Sequence, residues 1–174
     1  MHLTEPMRRY VLHWGEMGQR WGVNRSVAQV HALLYLSDEP LVADDIVEAL
    51  GVARSNVSTS LKELQSWELV RLVHVPGDRR DHFEAKQDPW DVLVTIVEGR
   101  KRREIDPTLA MLRDVSAAAE ADEATPQGTK AKIGSMLTFL EEMNGFYAQW
   151  RDVPQPVLRK ILTLGLKVTQ LLGK

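Results

Sequence analysis

"LSDEPLVADDIVEALGVARSNVSTSLKELQSWELVRLVHVPGDRRDHFEAKQDPW", residues 36–90, is the stretch on which the fold turns. Val42, Ala43, Ile46, Val47 and Leu50 recur at helical spacing, with Asp44 and Asp45 at the end where the helix dipole favours acids. Gly51 follows at once, placed to end that helix in a left-handed conformation. A second helix starts near Arg54. At about 100° per residue, Val57, Leu61 and Leu64 point one way, and Ser55, Thr59, Lys62 and Ser66 point the other. Asn56 and Ser58 lie on the flanks of the polar side. Two helices joined by so short a turn form a helix-turn-helix. Val42 and Ala53 stand where a capping hydroxyl is expected, so each helix start lacks roughly 1 kcal/mol of capping.

The residues that follow read as a hairpin. Residues 70–75 are β-branched and apolar enough for a strand, and Pro76-Gly77 marks the turn. On the return strand, alternation puts Phe83 and Ala85 on one side and Arg80, His82, Glu84 and Lys86 on the other. Arg79 sits at the turn itself, and Asp78 and Asp81 flank the arginine pair.

Upstream, residues 3–22 form a helix whose apolar stripe is Leu3, Met7, Tyr10, Trp14, Met17 and Trp21. Gly15, Gly18 and Gly22 lie beside it, which points to close backbone approach by another helix. Asn24 or Ser26 caps the next helix, which runs to about Leu36 on Val27, Val30, Leu33 and Leu34. Downstream, Asp88-Pro89 opens a helix, and Asp106-Pro107 kinks or restarts it. Residues 117–129 are small, acidic and interrupted by proline and glycine, as in a linker. Two more helices follow, over about 130–150 and 154–172. The order of helix, helix, tight turn, helix and hairpin is that of a winged helix-turn-helix.

That architecture gives the polar residues a use. The DNA major groove admits one helix whose outer face carries hydrogen-bonding side chains. Ser55, Asn56, Ser58, Thr59 and Lys62 supply such a face, with Arg54 at its start. Asn56 suits adenine, Thr59 offers a methyl to thymine, and Lys62 suits phosphate. Arg79 and Arg80, with His82 beside them, are placed for the neighbouring backbone or a narrow minor groove. The plainer reading is an ordinary solvated helix face and a solvated turn with local Asp-Arg pairing. Both readings hold together if Asp78 orients one arginine while the other meets DNA.

Composition bounds the remaining options. The 174 residues carry a formal net charge of −2, so positive charge has to be concentrated on one face for DNA to bind. Residues 38–48 hold five acids and no base, while Arg100, Lys101, Arg102 and Arg103 are consecutive bases. That basic run reads first as a solvated helix face, and second as a phosphate contact or a cross-subunit ion pair. There is no cysteine, which removes disulfides, thiolate metal sites and cysteine nucleophiles. No Gly-rich phosphate loop, nucleophile elbow or His-Glu-x-x-His is present, so no enzyme, cofactor or metal is expected. No apolar run reaches the roughly 18 residues of a membrane span, and residues 1–10 lack a signal-peptide core. A cytoplasmic protein is expected. Trp14, Trp21, Trp67 and Trp90 are candidates for an effector pocket that holds a quaternary ammonium by cation–π attraction, although core or dimer packing is the favoured reading, since Trp14 and Trp21 lie on a core stripe at helical spacing.

Residues 36–90 resemble the MarR superfamily, and specifically its GbsR-type branch. The wing tip Asp78-Arg79-Arg80 resembles the MarR wing signature, and "VHVPGDRRDHFEA" with "RKRREIDPTL" resembles the narrower GbsR-type pattern. The resemblance spans about residues 30–109 and departs from the usual polar caps at Val42 and Ala53. It implies a homodimeric transcriptional regulator whose outer helices pair the subunits and whose winged domains read two half-sites. Some members are linked to choline or glycine betaine metabolism, a link that belongs to those members. The expected fold is mainly α with a small β-hairpin wing, a winged helix-turn-helix between N- and C-terminal dimerisation helices. The expected divisions are 1–24 for the first dimerisation helix, 25–88 for the DNA-binding domain, and 89–174 for the C-terminal region. The expected function is a sequence-specific, ligand-responsive repressor acting as a homodimer on a near-palindromic operator of double-stranded DNA. Any effector is expected between the winged domain and the dimer helices. The alternative is a winged helix used for protein docking, against which Lys62, Arg79 and Arg80 speak.

Overall fold

A computed structural model describes residues 3–151, 153–154, 156–158, 160–161 and 164. Most of the helix expected over 154–172 lies outside the described residues. The chain divides into two compact units, Met1–Gly99 and Arg100–Lys174. No helix among the described residues is long and apolar enough to cross a membrane.

The first unit is built around α2 (Arg25–Tyr35), capped by Asn24, whose side chain accepts a hydrogen bond from the Ser26 amide at 2.8 Å. Val30, Leu33 and Leu34 are almost wholly buried on it. Around α2 pack α1 (Glu5–Arg20), α3 (Ala43–Leu50) and α4 (Arg54–Ser66). Ile46 of α3 and Val57, Leu61 and Leu64 of α4 enter the same core, as their spacing predicts. Gly51 takes φ +64° and closes α3 through its amide on the Val47 carbonyl at 2.9 Å.

On α1 the glycines decide which face packs. A Cβ on Gly18 would stand 2.5 Å from the Ala28 Cβ, and one on Gly15 would stand 2.7 Å from Gln29 Cγ. The two helices meet along these bare positions, so Gly15 and Val11 are buried. The aromatic edge is turned outward: Trp14 is 39% and Trp21 65% exposed. The expected core stripe is therefore rotated. Leu3 is buried, Met7 and Tyr10 pack at its border, and Trp14 and Trp21 fall outside it.

The sheet is larger than the hairpin read from the sequence. β2 (Val70–Val73) and β3 (His82–Ala85) pair antiparallel, and β1 (Leu41–Val42) joins the other edge of β3, giving the order β1-β3-β2. Leu41 faces Phe83 and Val42 faces His82 across that extra pairing. Val42 is thus a strand residue, at φ −81° and ψ 157°, as well as the residue before α3. A β-branched side chain suits that conformation, which accounts for the missing hydroxyl cap. The unit ends in α5 (Pro89–Arg100), whose Asp88 side chain accepts from the Trp90 amide at 2.7 Å.

The second unit opens with a π turn, Lys101–Ile105, directly before α6 (Asp106–Ala121). Pro107 has no amide to give to the preceding turn, and its ring would strike a carbonyl there. Widening that turn accommodates it, and the Thr108 hydroxyl donates to the Glu104 carbonyl. The helix continues to Ala121, so the expected linker contracts to the turn at 122–126. There the Asp122 side chain accepts from the Ala124 amide at 3.0 Å and the Thr125 hydroxyl at 2.6 Å. Its antiparallel partner α7 (Gln127–Arg151) is tied back by Arg113 Nε to Glu141 Oε1 at 2.9 Å.

Candidate nucleic-acid interface

The outer face of α4 is set by what its inner face must bury. Val57, Ser60, Leu61 and Leu64 are buried, and helical geometry then leaves Ser55, Asn56, Thr59 and Lys62 exposed, with Ser58 half-buried. Arg54 opens the helix and is also exposed. A single face of one helix thus carries hydroxyls, an amide and two cations.

The wing tip is held by Asp78. Its Oδ1 accepts from the Arg80 backbone amide and from Arg80 Nε, both at 3.0 Å. Its Oδ2 accepts from Arg80 Nε at 2.9 Å and from Arg80 Nη2 at 2.5 Å. These hydrogen bonds hold the Asp78 carboxyl well below the usual carboxylate range, and the carboxylate in turn raises the pKa of Arg80. Gly77 supplies the turn at φ +84°, and the Asp78 amide donates to the Val75 carbonyl at 3.1 Å. A guanidinium has five N–H donors in a rigid fork. Asp78 occupies the Nε edge and leaves the Nη1 end of Arg80 available to a further acceptor. Arg79 makes no ion pair among the described residues.

α4, the start of α3 and the wing enclose a cleft of about 530 Å³. Arg54, Ser58, Lys62, Arg79 and Arg80 all line it, so residues distant in the chain share one surface. Asp44 and Asp81 line it as well. The four cations exceed the two carboxylates there, although the whole chain is slightly acidic. Ser55, Asn56 and Thr59 are exposed on the same helix outside this lining.

Three readings from the sequence change. His82 was expected beside Arg80 on the solvated face, yet it is only 7% exposed. β1 pairs along its outer edge, its Nδ1 lies 2.9 Å from the Arg80 carbonyl, and its Nε2 lies 3.5 Å from Asp78 Oδ2. It is an internal brace of the wing. Arg54 is exposed but ion-paired with Asp44 across the α3–α4 turn. Asp44 itself was read only as a helix-dipole residue, and no spacing rule joins positions 44 and 54. The aromatic candidates fall on separate elements: Trp14 stacks on Tyr10 at 5.5 Å between ring centroids, and Trp21 ends α1. Trp67 ends α4 and packs on the core, and Trp90 lies half-buried in the first turn of α5. In the second unit, Arg100 pairs with Glu104 at 3.3 Å, and Lys101 pairs with Asp106 at 2.5 Å and lies over the Tyr147 ring.

The MarR family model matches residues 16–81, from the end of α1 through the wing tip. The HTH-type transcriptional repressor GbsR of Bacillus subtilis is 25% identical over 130 residues, covering 73% of this chain and 72% of GbsR. The HTH-type transcriptional repressor OpcR of the same organism is 20% identical over 131 residues, covering 73% of this chain and 70% of OpcR. Among solved structures, the crystal structure of a transcriptional regulator superposes with a TM-score of 0.64 at 18% identity, covering 84% of this chain and 95% of that one. That likeness establishes the architecture as one that a solved protein adopts.

Proposed function

We propose that this chain, whose residues 16–81 are a winged helix-turn-helix of the MarR family, is a sequence-specific DNA-binding transcriptional repressor that acts as a homodimer. The observation that carries the reading is the shared cleft. Lys62 and Ser58 of α4 and Arg79 and Arg80 of the wing line one surface, beside a helix face that exposes Ser55, Asn56 and Thr59. In this reading α4 enters the major groove, Asn56 and Thr59 read base edges, and Lys62 and the wing arginines neutralise phosphates. Repression is carried over from the names of GbsR and OpcR.

The dimer is supported by unspent apolar surface. α7 bears two apolar lines. Ile133, Leu137, Leu140 and Tyr147 are half-buried, whereas Met136, Phe139, Met143 and Phe146 are 51 to 56% exposed. Met111 and Val115 of α6 are exposed as well. A second copy covers such a face in a two-fold dimer. Two-fold symmetry then requires a near-palindromic operator with half-sites about 10 base pairs apart. A response to a small-molecule effector completes the proposal, its ligand acting by favouring one spacing of the paired recognition helices.

The test is selection of genomic fragments by the purified protein, followed by fluorescence anisotropy on the enriched duplex and on the region upstream of its own gene. The expected result is one near-palindromic sequence bound with an affinity that falls steeply with salt. Binding that ignores salt, or enrichment of no sequence, overturns the reading.

A further inference from the structure

We propose that Asp44 sets the specificity of DNA binding by holding Arg54 in an internal ion pair that competes with the phosphate backbone. The inference rests on the DNA-binding reading of the same cleft. Asp44 lies in the first turn of α3, where the helix dipole favours its charge, and Arg54 is the first residue of α4. The two are paired, and both line the cleft with Lys62, Arg79 and Arg80. Their side chains are 68% and 59% exposed, so the pair is weak and opens readily when a better-placed anion arrives. The other aspartate-arginine pair at this surface behaves differently. Asp78 binds Arg80 through both oxygens and through the backbone amide, which fixes the wing. Asp44 makes no such frame and acts on charge alone.

A phosphate contact carries no sequence information. If Arg54 were unopposed, every DNA segment would gain from it equally. With Asp44 present, loosely bound DNA leaves Arg54 on its carboxylate and also meets that carboxylate's repulsion. On an operator, Asn56 and Thr59 fix α4 in the groove, and Arg54 is carried close enough to a phosphate to leave Asp44. The carboxylate thus weakens indiscriminate binding more than operator binding.

The experiment measures wild type, Asp44→Asn, Asp44→Glu, Arg54→Ala and the double variant Asp44→Asn/Arg54→Ala on an operator duplex and a scrambled duplex across a salt series. Thermal melts confirm that each variant is folded. Freeing one cation steepens the slope of log K against log salt by about 0.9, which at 0.15 M salt raises scrambled-DNA affinity about fivefold. Operator affinity rises less, so the ratio between the two falls. Asp44→Glu stays close to wild type, and the gain disappears in the double variant. Wild-type affinity and slope for Asp44→Asn on scrambled DNA overturn the proposal. So does a gain that persists undiminished without Arg54, since Asp44 would then act by repulsion alone. If wild type binds neither duplex, the DNA-binding reading itself fails, a result distinct from both.

Discussion

Replacing Arg79 and Arg80 separately by alanine distinguishes two roles that lie one residue apart. Arg79 lines the cleft and makes no ion pair among the described residues, so Arg79→Ala removes a cation and disturbs little else. Each neutralised phosphate contributes about 0.9 to the slope of log K against log salt. Losing one makes the slope shallower by that amount and lowers affinity about fivefold at 0.15 M salt. Arg80→Ala is expected to do more. It removes the same charge, and it strips Asp78 of the guanidinium that it binds through Nε and Nη2. A bare carboxylate beside a phosphate adds a repulsion that salt partly screens, so the further loss is smaller than the first. The combined loss therefore exceeds that of Arg79→Ala, and the double variant Asp78→Asn/Arg80→Ala recovers the excess. Anisotropy on the operator at four or more salt concentrations reads both slope and affinity, and circular dichroism checks folding. Wild-type slope and affinity for Arg79→Ala refute the wing's part in binding. Equal losses for the two variants refute the added repulsion from Asp78.

Asn56→Ala is expected to broaden the selected sequence at one position while leaving the salt slope unchanged, as binding-site selection with each protein will show. Gly18→Val should cost about 1 to 3 kcal/mol in urea unfolding, because the new side chain meets Ala28 at a position where even a Cβ would stand 2.5 Å from the Ala28 Cβ; unaltered stability would mean that α1 and α2 do not approach so closely. His31 is buried with no partner for Nε2 among the described residues, and burial lowers its pKa to about 4. The unfolded chain, titrating near 6.5, takes up that proton first, so stability falls as pH drops from about 6.5 towards 4, by about 2 kcal/mol between pH 7 and 5. His31→Phe should flatten that acid limb, and an unchanged limb would refute the assignment.

The helices were legible because a strong period needs no knowledge of neighbours. Ile46, Val57, Leu61 and Leu64 face inward whatever surrounds them, and the polar row on α4 follows as their complement. Legibility fails wherever a third element intervenes. Alternation assigns His82 to the solvated face, and it would lie there in an isolated two-stranded hairpin. The two residues of β1 are too few to show a period, yet their pairing along β3 sets the buried Val42 beside the histidine. The same two residues explain Val42, which looks like a defective cap until its strand role is known. On α1, hydropathy marks Trp14 and Trp21 as core, but close approach at Gly15 and Gly18 selects the barer face instead.

Ion pairing was the least legible feature, and it bears most on function. The sequence shows Asp78, Arg79 and Arg80 side by side without saying which arginine the acid takes. Backbone geometry decides it: the Asp78 carboxylate that accepts from the Arg80 amide also lies against that residue's Nε. Arg54 and Asp44 are further apart in the chain, and only the crossing of α3 and α4 brings them together. Of the four cations in the cleft, two are engaged by carboxylates, and Lys62 and Arg79 make no ion pair among the described residues. In the proposed DNA-binding role, that pairing trims the attraction for DNA as a polymer. In that role the uncharged groups on α4 read the sequence, and the Asp44 carboxylate widens the margin they create.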